Sequence, residues 1–287
     1  MEIVHGKELQ FEEISLKHRG SGITFKHLFL GQENTPENYL FTISRQTKFY
    51  SPRHRHNFDQ FRYAYRGDVS IAPDLTLREG ELCYHPEAVF YGPQNDESGE
   101  RDVLVLQFGG TSGQGYLNFA QVAEGQKLLK QSGRFEGGKF YPEGERKPQD
   151  AYEAIWERFS GRPLEYPAPR YHSVIVAKPE NYAWVPCKGS GSGTRNMSTR
   201  TLGVFTERQT RADMIKLEMG GELELLEDDA LQLLFVVRGQ GKAGEKVIEM
   251  ESAVHLLPGT RVLLSSDSQM EIIRFVLPIL QKTSTVT

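Results

Sequence analysis

The chain has 287 residues, 25% of them charged and 38% hydrophobic, with a formal net charge of −4. That length allows two domains with separate cores, while the mild acidity and the lack of a basic run exclude nucleic acid and anionic membranes as natural partners. No apolar run approaches the ~18 residues of a membrane span. The N-terminal Met-Glu-Ile-Val-His-Gly-Lys-Glu has no apolar signal core, which predicts a cytoplasmic protein. Cys83 and Cys187 are the only cysteines; both sit in apolar or aromatic surroundings and read as buried free thiols. Asn196-Met-Ser198 matches a glycosylation sequon, which carries little weight without a secretory signal.

Residues 1–20 are polar and weakly patterned, an arm with one strand. From Gly22 to Gly110, short β-like runs alternate with turns: 39–43, 60–65, 69–72, 81–84, 89–91 and 103–108, punctuated by Arg66-Gly67-Asp68, Arg78-Glu-Gly80 and Gly92-Pro93. Such spacing predicts a sandwich or small barrel. Within it, residues 51–67 hold the densest chemistry. If the stretch is one strand, His54, His56, Gln60 and Arg62 share a parity and face one space, with Phe58, Phe61, Tyr63 and Tyr65 beside them. A His-x-His pair in a β context points to a metal or proton-transfer site.

Gly109 to Gly115 is glycine-rich but lacks the Gly-Lys-Ser/Thr ending of a phosphate loop, and reads as a flexible exit from a strand. Residues 116–131 predict a helix, and residues 150–159 a second one capped by Asp150. Residues 133–149 and 162–170 read as connecting loops. Residues 171–287 return to β, with candidate strands at 174–176, 214–217, 231–237, 247–248, 254–257, 262–264 and 272–277; Lys188 to Thr194 reads as a mobile tip.

The two β halves resemble each other. Gln60-Phe-Arg-Tyr-Ala-Tyr-Arg-Gly67 lies over Gln232-Leu-Leu-Phe-Val-Val-Arg-Gly239, Pro86 over Pro258, and the 103–108 strand over 272–277. In the first half, His54-x-His56-x3-Gln60-x6-Gly67 and Gly80-x5-Pro86-x-Ala88-x2-Tyr91 resemble the two motifs of the cupin superfamily. Gln stands for the motif Glu, Ala for Gly and Tyr for His. The resemblance covers most of the chain. It implies an all-β fold of duplicated jelly-roll barrels: residues 1–110, a partly helical linker at 111–170, and residues 171–287. Because this fold hosts many chemistries, it says less about activity.

Carried over position by position, the resemblance implies that His54, His56, Gln60 and Tyr91 are the metal positions of the first barrel. Iron is the first candidate, with Ni, Cu, Mn or Zn as alternatives. Gln60 neutralises no charge and Tyr91 binds well only as phenolate, so both substitutions weaken metal binding. In the second barrel the matching positions are Leu226, Asp228, Gln232 and Leu263, with Leu234 over Arg62; two leucines cannot ligate, so that barrel is expected to be structural and metal-free. His172 and His255 lack partners at ligand spacing and read as structural.

An inward-facing Arg62 must find either a barrel carboxylate or an acidic or enolic substrate oxygen. Arg45, Gln107 and His85 are further candidates for the cavity lining. Two activities follow, with His54, His56, Arg62 and Tyr91 as catalytic residues in a monomer or homodimer acting on a small molecule. One is a metal-dependent oxygenase or isomerase acting on an oxygen-rich, acidic or enolic substrate. The other is a metal-free isomerase, cyclase or decarboxylase using His and Tyr acid–base chemistry. A non-catalytic small-ligand-binding protein is the third reading.

Overall fold

The computed structural model describes residues 1–13, 22–35, 37–144, 147–187, 194–225 and 229–279. It divides into two compact units, Phe11–Val176 on one hand and Met1–Gln10 with the chain from Ala177 onward on the other. None of the described helices is long and apolar enough to cross a membrane.

The first unit is built on an antiparallel sheet. Its central strands run in the order Leu82–His85, Phe58–Arg66, Arg101–Gly109, Tyr39–Gln46, Ile23–Leu30. Both faces of the central three are buried. The sequence there therefore reads as near-continuous aromatic and aliphatic runs, with little in–out alternation. Two short pairs, Phe49–Ser51 with Gln94–Asp96 and Val69–Ala72 with Leu75–Leu77, supply the opposing layer. Val69, Ile71 and Leu77 pack with Ala64, Cys83, Val103 and Val105, filling one end of the barrel with apolar side chains.

The other end is closed by the helical segment. The first helix, Phe119–Leu129, starts on a capping box in which Asn118 and Gln121 bond each other's backbone. The second, Ala151–Ser160, is capped by Asp150, whose side chain accepts from Tyr152 and Glu153 amides, and ends at the left-handed Gly161. The helices meet where a side chain at Gly125 would stand 2.9 Å from Ile155 Cγ2 and 3.1 Å from its carbonyl oxygen, so only glycine permits the approach. Their apolar faces join Leu40, Phe58, Tyr116 and Leu117 in one cluster around the fully buried Trp156 and Ile155.

The second unit carries a ten-stranded antiparallel sheet whose inner face holds Ile215, Leu234, Val236, Leu256, Leu264 and Ile272, all fully buried. This interior is packed with hydrocarbon.

Several sequence expectations change here. Residues 1–10 are part of the second unit, because Glu2–His5 pairs with the 252–256 strand, Glu2 opposite His255 and Ile3 opposite Val254. The segment at 111–170 belongs to the first unit and covers its barrel. Residues 133–149 hold a hairpin, Gly133–Glu136 with Lys139–Pro142. Residues 89–91 form no strand, and Tyr91 makes only an isolated bridge to His54. Cys187 is half-buried. Leu226, Asp228 and residues 188–193 lie outside the described residues.

Candidate functional site

Strand register fixes what faces the barrel interior. Opposed residues on antiparallel neighbours share a face, so the pairings of Gln60 with His85 and with Gln107 place His85, Gln60 and Gln107 in one row. Two residues along, Cys83, Arg62, Val105 and Thr42 form the next row. Between this wall and the helical segment lies a cavity of about 70 Å³. Its polar lining is Thr42, Ser44, Gln46, Gln60, Arg62 and Gln107; Phe25, Phe58, Tyr116 and Tyr152 supply aromatic surface. At the ~10–15 Å³ that one ordered water needs, the space holds roughly five waters, which suits an organic molecule of few heavy atoms.

Arg62 is the one charge on this wall. It is 7% exposed, and no carboxylate lines the cavity. Its Nη1 donates to Gln94 Oε1 at 2.9 Å and its Nη2 to Tyr91 Oη at 3.2 Å, while the guanidinium sits over the Tyr91 ring. Tyr91 Oη is also 2.7 Å from His56 Nε2, so Arg62, Tyr91 and His56 form one buried hydrogen-bonded chain. Gln94 in turn donates to Gln46 and to Asp96. On the other side of the wall, Tyr116 donates to Gln107 and Gln107 to Gln60 at 2.6 Å. His85 is 2% exposed, packs edge-on against the Tyr91 ring at 4.3 Å, and is held neutral: burial, then the charge of Arg62, puts its pKa well below the ordinary imidazole value. Burial likewise pushes the Cys83 thiol to about 12, so it is an inert interior group.

The loop that carries His85 and Tyr91 is pinned from behind. Glu87 is 1% exposed; its carboxylate accepts from Ser112 N at 3.1 Å, Ser112 Oγ at 2.6 Å and Arg170 Nη1 at 2.6 Å. A side chain at Gly110 would collide with that carboxylate. The glycine-rich stretch expected to be a flexible exit is therefore the cradle of the buried Glu87 carboxylate, which Arg170 reaches from the surface. Glu87 N donates to Asp59 Oδ1 at 2.8 Å, and burial, followed by the negative charge of Glu87, raises the Asp59 carboxyl to about 7.

The site brings His56, Tyr91, Arg62, Gln60, His85 and Gln107 together and corrects other expectations. The strand begins at Phe58, so His54 and His56 stand on the preceding loop. His54 turns partly outward: its Nδ1 meets the Pro52 carbonyl, and it lines a surface pocket with Arg55, Asp150 and Tyr152. Tyr152 lines both this pocket and the cavity. Arg45 points out of the barrel and pairs with Asp102 at 2.8 Å. Phe61 faces the opposite side of its strand, against Tyr84 and Phe108. In the second unit Leu263, aligned with Tyr91, is 40% exposed while Val262 and Leu264 are buried. Sequence reasoning missed Gln46 and Gln94. The alternation Thr42-x-Ser44-x-Gln46 in an otherwise apolar strand signalled the first.

The donor set does not fit a divalent metal. His56 Nε2 is committed to Tyr91, Gln60 Oε1 to Gln107, and the Tyr91 oxygen already accepts from a guanidinium. A dication on Tyr91 would stand beside Arg62 with no carboxylate to offset either charge. Among the described residues no three His, Cys, Asp or Glu side chains could hold a metal ion together.

No protein-family model and no curated protein sequence matches the chain. Solved structures do. A "putative dioxygenase" from Nostoc punctiforme superposes with a TM-score of 0.64 at 10% identity, covering 99% of this chain and 85% of that one. The chain has the two-barrel cupin fold. A bacterial pirin from Escherichia coli in complex with nickel(II) matches with a TM-score of 0.56 at 10% identity over 97% of this chain and 99% of its own. Streptomyces albus HEPD, with 2-hydroxyethylphosphonate and Fe(II) bound, gives 0.58 at 12% identity over 96% and 76%. The fold thus includes metal-bound enzymes, at identities that speak for architecture alone.

Two outcomes are expected. Protein purified without a metal-affinity tag should carry far less than one equivalent of transition metal by elemental analysis; a near-stoichiometric metal that disappears in His54→Ala/His56→Ala would contradict the reading of the donor set. A carboxyl whose pKa is raised on folding lends stability that is complete below the unfolded value near 4 and is lost as pH rises through the folded one. Denaturant unfolding between about pH 5 and pH 8 should therefore show wild type losing stability relative to Asp59→Asn as pH rises through about 7. Parallel profiles would remove Asp59 from that role.

Proposed function

We propose that the N-terminal barrel is a metal-free site for a small acidic or enolic molecule, and that it works by proton transfer, as an isomerase-type enzyme. The observation that carries this reading is the buried Arg62 guanidinium on the cavity wall, bonded among the described residues to the neutral oxygens of Gln94 and Tyr91. A buried cation without a carboxylate is costly, and an anionic ligand oxygen removes that cost. Arg62 thus anchors the substrate anion and stabilises the charge of an enolate as it forms.

The Tyr91–His56 pair supplies the proton movement. Arg62 can only donate, so Tyr91 Oη accepts from it and its own O–H is directed to His56 Nε2. When Tyr91 passes its proton to His56, the phenolate that results lies against the guanidinium and can take a proton from carbon next to a carbonyl. Returning the proton at a second position completes an isomerisation. The small cavity under Tyr116 and Tyr152 keeps water away from the enolate. A metal-dependent oxygenase, a reading that draws on a putative dioxygenase and on nickel(II)- and Fe(II)-bound structures of this fold, has less support because the donor set lacks a negative charge.

Deuterium exchange tests this directly. Short 2-oxo and 3-oxo acids incubated in D2O with the protein should exchange their α-protons, followed by NMR. Tyr91→Phe should slow exchange by about 10²–10⁴-fold while still binding the acid, and Arg62→Met should lose binding. Exchange that survives unchanged in Tyr91→Phe would rule out its role. Arg62-dependent binding with no exchange in wild type would make the barrel a ligand-binding module.

A further inference from the structure

We propose that Gln60 and His85 form a hydroxyl-binding subsite beside Arg62, so that the barrel selects short carboxylates bearing a hydroxyl group over their unsubstituted counterparts. The inference rests on the reading of Arg62 as an anion anchor and names the class of molecule that anchor serves.

One hydrogen-bond chain on the cavity wall has a fixed direction. The Tyr116 hydroxyl donates to Gln107 Oε1 at 2.8 Å, which turns Gln107 Nε2 toward Gln60. Gln60 Oε1 accepts that nitrogen at 2.6 Å. The chain therefore ends on Gln60 Nε2 as a donor, and nothing among the described residues accepts from it although the residue is fully buried. His85 lies opposite Gln60 in the same interior row, and neither of its ring nitrogens has a hydrogen-bond partner among the described residues. Three buried polar atoms on two adjacent residues thus lack protein partners in a fold where such atoms are normally satisfied.

Their chemistry is selective. A neutral imidazole offers one acceptor and one donor, and Gln60 adds a donor. A hydroxyl group both accepts and donates, so one oxygen can accept from the Gln60 amide and donate to one ring nitrogen of His85. A second carboxylate cannot donate, an ammonium cannot accept and would face Arg62, and a methyl leaves the amide and the ring unpaired. Arg62 is two residues from Gln60 on the same face, roughly 6.6 Å along the strand. A short acid with its hydroxyl on the β or γ carbon spans roughly 4–6 Å from carboxylate to hydroxyl oxygen, and the hydrogen bonds at its two ends cover the rest. Such a molecule also fits the small cavity.

Calorimetric titration of the full chain decides the matter, with 3-hydroxypropanoate and 4-hydroxybutanoate set against propanoate and butanoate. At least one hydroxy acid should bind about tenfold or more tightly than its unsubstituted partner. Gln60→Met and His85→Leu, each checked for an unchanged fold by circular dichroism, should bring that ratio toward one. Arg62→Met should weaken both members of each pair. Equal, Arg62-dependent binding of hydroxy and plain acids by wild type would overturn the subsite and leave the anion anchor standing. Failure of all four acids to bind would overturn both.

Discussion

The buried guanidinium of Arg62 is the constraint around which the first barrel is arranged. Removing such a charge from water costs several kcal/mol unless it is paired and fully hydrogen-bonded. Here the barrel offers neutral oxygens in place of a counter-ion, one from Gln94 and one from Tyr91. Gln94 is oriented by donating to Gln46 and to Asp96, and Asp96 is itself balanced by Arg101 at 3.4 Å. The nearest carboxylate in this network is thus spoken for by another cation, and Arg62 keeps its charge toward the cavity.

Tyr91 can meet both Arg62 and His56 only if the loop behind it is fixed. Glu87 does that from the far side of the wall, tied to Ser112 and Arg170 and backed by Asp59. A second constraint comes from the helical segment, whose Tyr116 sets the direction of the glutamine chain and whose Tyr152 closes the cavity beside His56. In the duplicated barrel Gln232 keeps the position of Gln60, but Leu234 fills that of Arg62 and joins a cluster of buried apolar side chains.

Much of the architecture was legible in the sequence: the repeated Gln-to-Arg-Gly block, the motif spacing, and the Asp150 cap are local signals that the fold retains. The cluster of Arg62, Tyr91 and His56 was also within reach, because motif spacing carries residues to one barrel face. What failed depended on register or on where a strand starts. Residues 54–56 share the parity of the strand but precede it, so His54 is half-buried, its ring 4.7 Å from that of His56 and 4.6 Å from that of Tyr91, with Nδ1 turned to the Pro52 carbonyl. Leu263, aligned with Tyr91 by motif spacing, stands on the exposed face of its strand, a matter that a single residue of register decides. The row of His85, Gln60 and Gln107 joins three strands distant in sequence, and no local pattern announces which residues will stand opposite. What weighs against the metal expectation is electrostatic: Gln60 replaces the one carboxylate of the motif in a barrel that already holds a guanidinium.

The most direct test of the account is an anomalous diffraction measurement on crystals soaked in bromide, a small anion that demands nothing but positive charge. The account predicts a bromide peak on the cavity side of Arg62, in contact with its guanidinium. Bromide bound at surface sites with none in the barrel would mean that Arg62 is satisfied by Gln94 and Tyr91 alone, and the anion site at the centre of this reading would be gone.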